Sequence, residues 1–243
     1  MLLNCDLGEE AGTDSFSPEE AAMPFIDQAN IACGVHAGSE RVMADTVALA
    51  ARHKVAIGAH PSYPDRENFG RTSMQLSAEA LSNVLHEQIA TLARVAGEQG
   101  MALSYVKPHG ALYNDMMASA TVRAHVFRSI ADLTPRLPLM LLATAAAELH
   151  RQEAQNAGID LLFEAFADRA YTDEGTLVPR TENGAVHNAD AALHQVKQLC
   201  RDRSVTTSGG KVLSLEADTL CVHGDNPEGV AMIRQFRALL DAH

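Results

Sequence analysis

The feature that most constrains this chain is a regular alternation of short apolar runs with longer segments whose apolar residues recur at helical spacing. Strands are predicted at residues 2–5, 31–33, 55–59, 103–106, 138–143, 160–164 and 219–222. Helical segments separate them and most connections are short, which predicts a parallel sheet. About seven such units in 243 residues indicate one domain, a distorted TIM-like βα barrel over residues 1–243.

The alternative for such an alternation is a doubly wound open sheet. That fold is marked by a G-x-G-x-x-G turn after the first strand, and no such turn follows residues 2–5. The S-G-G-K sequence at 208–211 lacks the spacing of a phosphate-binding loop and is typical of a turn. Residues 204–217 fit no clear pattern, and residues 165–187 are predicted to be irregular.

Composition narrows the classes of partner. The chain has 19 basic and 31 acidic residues, a net charge of -12, which argues against nucleic acids and anionic membranes, since both require clustered Lys and Arg. No apolar run approaches the roughly 20 residues of a membrane span, and the first residues do not resemble a signal peptide. Four cysteines without C-x-x-C spacing indicate free thiols in a cytoplasmic protein. Homo-oligomerisation stays open.

Four of the 11 histidines closely follow predicted strands and touch Gly or Pro, namely His36, His60, His109 and His223. In a parallel barrel the carboxyl ends of all strands lie on one face, which is where catalytic loops of this architecture lie. Four histidines at four such ends are hard to explain by packing. The most concentrated example is Y-V-K-P-H-G-A-L-Y-N at 105–114, where an apolar run leads directly into Lys107.

Other polar residues follow the same rule. Asp6 and Glu9 follow the first strand. The remaining candidates are Asn30, Arg66, Arg71, Asn114, Glu164, Asp168, Arg169 and Asp225, which with His36 and His60 we assign to substrate binding. Structural interpretations compete, because arginines can form internal ion pairs and Asn114 can cap a helix. A buried charge at a barrel mouth costs several kcal/mol unless it is paired or used, which favours function for Asp6 and Lys107.

The motifs as a set resemble those of the LamB/YcsF family. The matching blocks are N-C-D-L-G-E (4–9), A-N-I-A-C-G-x-H-A-G (29–38), I-G-A-H-P-S-Y-P-D (57–65), F-G-R (69–71), V-K-P-H-G-A-L-Y-N (106–114), E-x-F-A-D-R-x-Y (164–171) and C-V-H-G-D-N-P (221–227). They span nearly the whole chain in order. The chain departs from the pattern at Asn68, where Gly is usual, and at Thr72, where a second Arg is common.

This resemblance implies a seven-stranded βα barrel related to glycoside hydrolase and polysaccharide deacetylase folds. It also implies the role of the A subunit in a bacterial 5-oxoprolinase, which opens 5-oxo-L-proline to L-glutamate with hydrolysis of ATP and with two partner subunits, B and C. ATP, accompanied by Mg2+, would bind here or on a partner, since the sequence shows no recognisable nucleotide motif.

Opening a lactam requires a base for water, positive groups for the substrate carboxylate and donors for the oxyanion. We assign Asp6 or Glu9 as the base and Lys107 as the group that binds anions or stabilises the oxyanion. His109 and His223 are assigned as proton shuttles, because histidine titrates near neutral pH. An arginine would bind the carboxylate bidentately, and the candidates are Arg66, Arg71 and Arg169.

Two other functions stay open on the sequence alone. Asp6, His36 and His60 follow three successive strands and can form an open Asp/His/His site for a divalent metal, as in a metal-dependent amide hydrolase related to the deacetylases. The chain can also be a non-catalytic subunit that binds the lactam or holds its partners together.

Overall fold

The computed structural model describes residues 1–9 and 17–242. Its strands are β1 (Leu2–Leu7), β2 (Gln28–Ala32), β3 (Ala56–His60), β4 (Leu103–Val106), β5 (Leu139–Leu142), β6 (Leu161–Phe166), β7 (Ser204–Thr206), β8 (Val212–Ser214) and β9 (Thr219–His223). A closed parallel barrel runs in the order β1-β2-β3-β4-β5-β6-β9, and β9 pairs with β1. The predicted seven-stranded βα barrel is confirmed. Of the loop predicted over residues 6–17, positions 10–16 lie outside the described ranges.

Helices surround this barrel. They are α1 (Pro18–Ala22), α2 (Glu40–His53), α3 (Ala78–Gly97), α4 (Gly110–Ala118), α5 (Ala120–Ala131), α6 (Ala147–Ala157), α7 (Ala189–Asp202) and α8 (Pro227–Asp241). Side-chain caps fix several starts, because Ser39, Ser77 and Asn188 each accept a hydrogen bond from the backbone N–H three residues on. Within residues 1–9 and 17–242, no helix has both the length and the apolar character required to cross a membrane.

Four strands run further than predicted, and in three of them this moves site residues into the barrel wall. β1 ends at Leu7, β3 at His60 and β9 at His223. Asp6, His60 and His223 are therefore strand residues and do not lie in the following loops. Ladder hydrogen bonds from two neighbouring strands fix such positions more firmly than a loop would.

Two segments differ from their prediction. Residues 110–118, for which no helix was predicted, form α4, in which Leu112 and Met116 are buried. Asn114 lies inside α4, so its interpretation as a helix cap is wrong. Residues 204–217, which had no assignment, contain the antiparallel pair β7 and β8, which lies outside the barrel.

Tyr105 crosses the barrel interior from β4 to β2. The strand register places Asn30, Gly58 and Tyr105 side by side on β2, β3 and β4. The buried hydroxyl of Tyr105 donates to Asn30 Oδ1 at 2.6 Å. A Cβ atom at Gly58 would overlap the tyrosine ring, so the absence of a side chain there is what lets the ring pass.

Gly58→Ala is expected to lower the free energy of unfolding by about 1–3 kcal/mol, the usual cost of overpacking a filled core. Gly97→Ala is the matched control, since a methyl group at Gly97 would meet nothing within 4 Å. That control should be neutral or stabilising by up to about 1 kcal/mol. Urea unfolding followed by circular dichroism measures both variants, and equal midpoints would contradict the crossing role of Tyr105.

Candidate active site

A cavity of about 500 Å³ opens at the carboxyl ends of the barrel strands, a size usual for small-molecule sites. Asp6 and Lys107 lie at its floor, and Leu142, Phe166 and Val178 supply apolar wall. Histidines, arginines and the segments 108–118 and 176–181 contribute to the rest of the boundary. The cavity therefore combines an ionic floor with an apolar wall and positive charge.

Lys107 is the centre of the floor and is 2% exposed. Its Nζ lies 2.8 Å from Asp6 Oδ1, 3.0 Å from Glu164 Oε2 and 3.1 Å from Cys221 Sγ. Burial alone would lower the pKa of Lys107, but Asp6, Cys221 and Glu164 outweigh it and hold this pKa well above its ordinary value. Lys107 is thus a fixed positive charge beneath the cavity.

Asp6 is held on two sides. Its Oδ1 accepts from Lys107 and from Asn30 Nδ2 at 2.6 Å, and its Oδ2 lies 3.5 Å from His60 Nε2. Burial favours the neutral acid, but Lys107 and His60 outweigh it and keep the pKa of Asp6 well below its ordinary value. Asn30 also donates to Asn4 Oδ1 at 2.8 Å, so a buried amide pair supports the carboxylate from below.

Tyr113 is a cavity residue that sequence reasoning passed over. It is 4% exposed, and its hydroxyl lies next to the carboxylate of Glu164. Burial and then the neighbouring Glu164 raise the pKa of Tyr113 well above its ordinary value, so the phenol keeps its proton. A neutral O–H in the lining of the cavity is a suitable donor for an oxyanion.

Three histidines and Glu9 form a second cluster beside the floor, with His36 stacked on His109 at 3.9 Å between ring centroids. Oε1 of Glu9 lies 3.5 Å from His36 Nε2, 3.6 Å from His109 Nδ1 and 4.0 Å from His60 Nε2. Burial, reinforced by His60, lowers the pKa of His36 to about 2. Of the predicted metal trio, His36 and His60 are in this cluster, whereas Asp6 lies next to it against Lys107.

His223 lies on the opposite side of the floor. Its Nδ1 is 2.9 Å from Asp168 Oδ1, and Asn226 Nδ2 donates to the other carboxylate oxygen at 2.9 Å. The imidazole stacks on Phe166 with centroids 5.1 Å apart. Burial would raise the pKa of Asp168, but His223 and Asn226 outweigh it and lower this pKa to about 2. The pair therefore fixes the ring of His223 at the cavity wall.

Asp168 should make part of the fold's stability sensitive to acid. Its pKa falls from 3.8 to about 2 on folding, so it stabilises the fold above pH 3.8, and that contribution is lost as pH falls toward 2. The difference corresponds to about 2 kcal/mol. Wild type should therefore lose about 2 kcal/mol more than Asp168→Asn between pH 5 and 2 in urea unfolding. Parallel pH curves for the two proteins would contradict this linkage.

Two arginines at the cavity boundary share one carboxylate. Asp225 Oδ2 accepts from Arg71 and lies 3.4 Å from Arg180 Nη1. Both guanidinium groups line the cavity. Since two positive charges face a single aspartate, this edge retains a surplus of positive charge toward the cavity. Arg180 lies in the segment predicted to be irregular and was not among the sequence candidates.

The other two predicted arginines, Arg66 and Arg169, donate their hydrogen bonds to backbone carbonyl groups. Arg169 lines the cavity, but its guanidinium donates to Val178 O at 2.6 Å and to Ala185 O at 3.2 Å. Arg66 donates to the carbonyls of residues 34 and 38, each at 3.0 Å, and it is not part of the cavity lining. Its contacts hold the loop that carries His36, so the structure gives it a loop-shaping role and not the predicted contact with substrate.

The sequence model of the LamB/YcsF family matches residues 1–243. The chain belongs to the LamB/YcsF family. Relatives named as the A subunit of 5-oxoprolinase, from Vibrio cholerae serotype O1 (strain M66-2) and Pseudomonas fluorescens (strain Pf0-1), are 47% and 46% identical to it, over 99% of this chain and 98% and 97% of theirs.

A solved structure agrees with this assignment. The lactam utilization protein from Thermus thermophilus superimposes with a TM-score of 0.87 at 33% identity, covering 100% of this chain and 96% of that one. A putative cellobiose-phosphate cleavage protein from Enterococcus faecalis V583 gives a TM-score of 0.58 at 9% identity, over 99% of this chain and 93% of that one, which shows a shared fold alone.

Most predicted site residues of this LamB/YcsF protein converge on one region. Those that line the cavity are Asp6, His60, Arg71, Lys107, His109, Asn114, Arg169 and His223. Those that contact these residues from beneath or beside it are Glu9, Asn30, His36, Glu164, Asp168 and Asp225. Tyr113 belongs to the recognised block 106–114 and could have been found there, whereas no pattern marked Arg180.

Proposed function

We propose that this chain acts as the A subunit of a 5-oxoprolinase and opens 5-oxo-L-proline to L-glutamate with hydrolysis of ATP. The observation that carries the proposal is the buried Lys107 between two carboxylates at the floor of a cavity of about 500 Å³. Relatives that bear the 5-oxoprolinase name match over nearly their full length, which supports the same substrate.

The cavity suits a small lactam with one carboxylate. Its ring would pack on Phe166, its carboxylate would face the arginines beside Asp225, and its amide oxygen would face Lys107 and Tyr113. Phosphorylation of that oxygen by ATP makes it a leaving group. Water then adds to the amide carbon, and the C–N bond breaks as the nitrogen takes a proton, which leaves an acyl phosphate. A second water attacks the carbon of this acyl phosphate, and phosphate departs with the original amide oxygen, so each water supplies one oxygen of the new carboxylate. Asp6 or Glu9 would accept the proton of the water.

The deciding experiment measures glutamate formation and 5-oxoproline-dependent ATP hydrolysis by this chain with and without subunits B and C. Activity only with the partners is the expected result, with ATP supplied as its Mg2+ complex. Calorimetric titration of the isolated chain with 5-oxoproline and with ATP tells which ligand this chain holds. Binding of the lactam together with full turnover by floor variants would instead assign the chain a non-catalytic role.

A metal-dependent amide hydrolase is the second candidate. The cluster of His36, His60 and His109 with Glu9 beside the floor favours it. Such an enzyme needs no nucleotide. Ring opening that proceeds without ATP and stops on chelation would replace the first candidate by the second.

Arg180→Gln should raise KM for 5-oxoproline by about 10–100-fold with a smaller change in kcat, because a charge-assisted hydrogen bond to the substrate carboxylate contributes roughly 1.5–3 kcal/mol. Steady-state kinetics of the reconstituted complex measures this split. Arg201→Gln is the matched control, since Arg201 is an exposed arginine paired with the adjacent Asp202. An unchanged KM in Arg180→Gln would assign carboxylate binding to another group.

A further inference from the structure

His60 and His109 face each other through one ring nitrogen each, 2.9 Å apart. Nδ1 of His60 lies 2.8 Å from the carbonyl oxygen of Lys107, and Nε2 of His109 lies 2.9 Å from that of Phe69. A carbonyl oxygen only accepts, so these outer nitrogens carry the hydrogens of the neutral rings. With both rings neutral, His60 Nε2 and His109 Nδ1 would bring a lone pair each to face the other across 2.9 Å. Two facing lone pairs repel unless a cation lies between or beside them.

Further unsatisfied atoms lie at the same place. Both ring nitrogens of His36 and Oε1 of Glu9 lack a hydrogen-bond partner within residues 1–9 and 17–242. His36 is nevertheless only 2% exposed, so water does not readily reach it. A buried polar atom without a partner costs about 1–3 kcal/mol. Such atoms are rare in folded proteins, and their convergence on one point indicates a ligand for them.

The backbone holds these rings in the orientation that a metal requires. Phe69 has a φ of 57°, a left-handed conformation that is unusual for a bulky residue, and its carbonyl accepts from His109. Histidines that ligate metals almost always donate their outer N–H to a carbonyl or carboxylate, which fixes the tautomer. His60 and His109 both show this arrangement.

We propose that Glu9, His36, His60 and His109 bind one transition-metal ion, with Zn2+ the first choice. Tetrahedral Zn2+ with bonds of about 2.0–2.1 Å separates its ligand atoms by roughly 3.3 Å. The separations here are 2.9 Å between His60 and His109, and 3.5, 3.6 and 4.0 Å from Glu9 to the three imidazoles. All four atoms lie within 4.8 Å of one another. Imidazole ligands select zinc and its neighbours over Mg2+ or Ca2+.

The neighbouring group of Asp6, Cys221 and His223 is a contrasting case. It also brings three ligand types together, but Lys107 Nζ lies 2.8 Å from Asp6 and 3.1 Å from Cys221. A lysine ammonium already supplies the positive charge there. The histidine cluster has no comparable cation among the described residues in contact with it, which is why the metal is assigned to that cluster.

The metal site is tested without 5-oxoproline or ATP, so its outcome is separate from that of the ring-opening proposal. The chain is stripped with a chelator, dialysed, and titrated with ZnCl2 by calorimetry, and with CoCl2 by visible absorption. Wild type should bind about one equivalent, show the intense bands of tetrahedral Co2+, and unfold at a higher temperature with Zn2+. When bound, the ion would supply a positive charge beside Asp6, whose Oδ2 lies 3.5 Å from His60 Nε2.

His36→Asn should weaken Zn2+ binding by at least about 100-fold, because it removes a direct ligand. His150→Asn is the matched control, since His150 is 4% exposed and its Nδ1 makes no hydrogen bond in the described ranges. It should bind Zn2+ like wild type. Absence of Zn2+ and Co2+ binding by wild type, which needs no variant to fold, would overturn the proposal. So would wild-type affinity in a folded His36→Asn chain.

Discussion

Lys107→Met is expected to slow ring opening strongly and also to destabilise the fold. Methionine keeps much of the side-chain length and removes the ammonium, so Asp6 and Glu164 would face each other as buried carboxylates without a counter-charge. Removing one partner of a buried ion pair costs about 3–5 kcal/mol. Losing the positive charge at the lactam oxygen should reduce kcat/KM by roughly 10²–10³-fold.

A second variant separates these two effects. Lys107→Met combined with Glu164→Gln removes one of the two unpaired carboxylates, so it should recover part of the lost stability and none of the activity. Urea unfolding is followed by far-ultraviolet circular dichroism, because the chain has no tryptophan. Glutamate formation by the reconstituted complex reports activity. Wild-type turnover in either variant, or a double variant less stable than the single one, would contradict the role of Lys107.

The position of Lys107 could be predicted from sequence because each strand of a parallel barrel ends on the same face. Strand ends that are far apart in the chain meet on one face, so Asp6 and Lys107 converge although 101 residues separate them. Short apolar runs sufficed to place those ends to within two residues. The same reasoning predicted that His36, His60 and His109 would lie near one another.

Other parts of the site could not be predicted because their positions depend on contacts that no local pattern encodes. Arg180 lies at the cavity through a long irregular segment held by backbone contacts such as Arg169 to Val178. Its partner Asp225 lies 45 residues further along the chain. The tautomers of His60 and His109 depend on two particular carbonyl oxygens, one of them on the strained Phe69, and only coordinates reveal those distances.

Asp6→Asn should destabilise the fold less than Lys107→Met does. With both carboxylates ionised, the group of Lys107, Asp6 and Glu164 carries a charge of about -1; removing the lysine makes it about -2, and neutralising Asp6 makes it zero. Oδ1 of the new asparagine can still accept from Lys107 and Asn30, and its amide can face His60. We therefore expect a stability loss below about 2 kcal/mol, smaller than for Lys107→Met.

The catalytic cost of Asp6→Asn should nevertheless be large, about 10²–10⁴-fold in kcat/KM, since the anion at the floor is lost while the geometry persists. Asp27→Asn is the matched control at the other end of the barrel, where Asp27 accepts from Leu3 N and Arg237 at 2.8 and 2.7 Å. That change should reduce stability and leave turnover intact. If Asp6→Asn were as active as wild type, the floor charge would serve folding alone, because a catalytic anion cannot be neutralised without a kinetic cost.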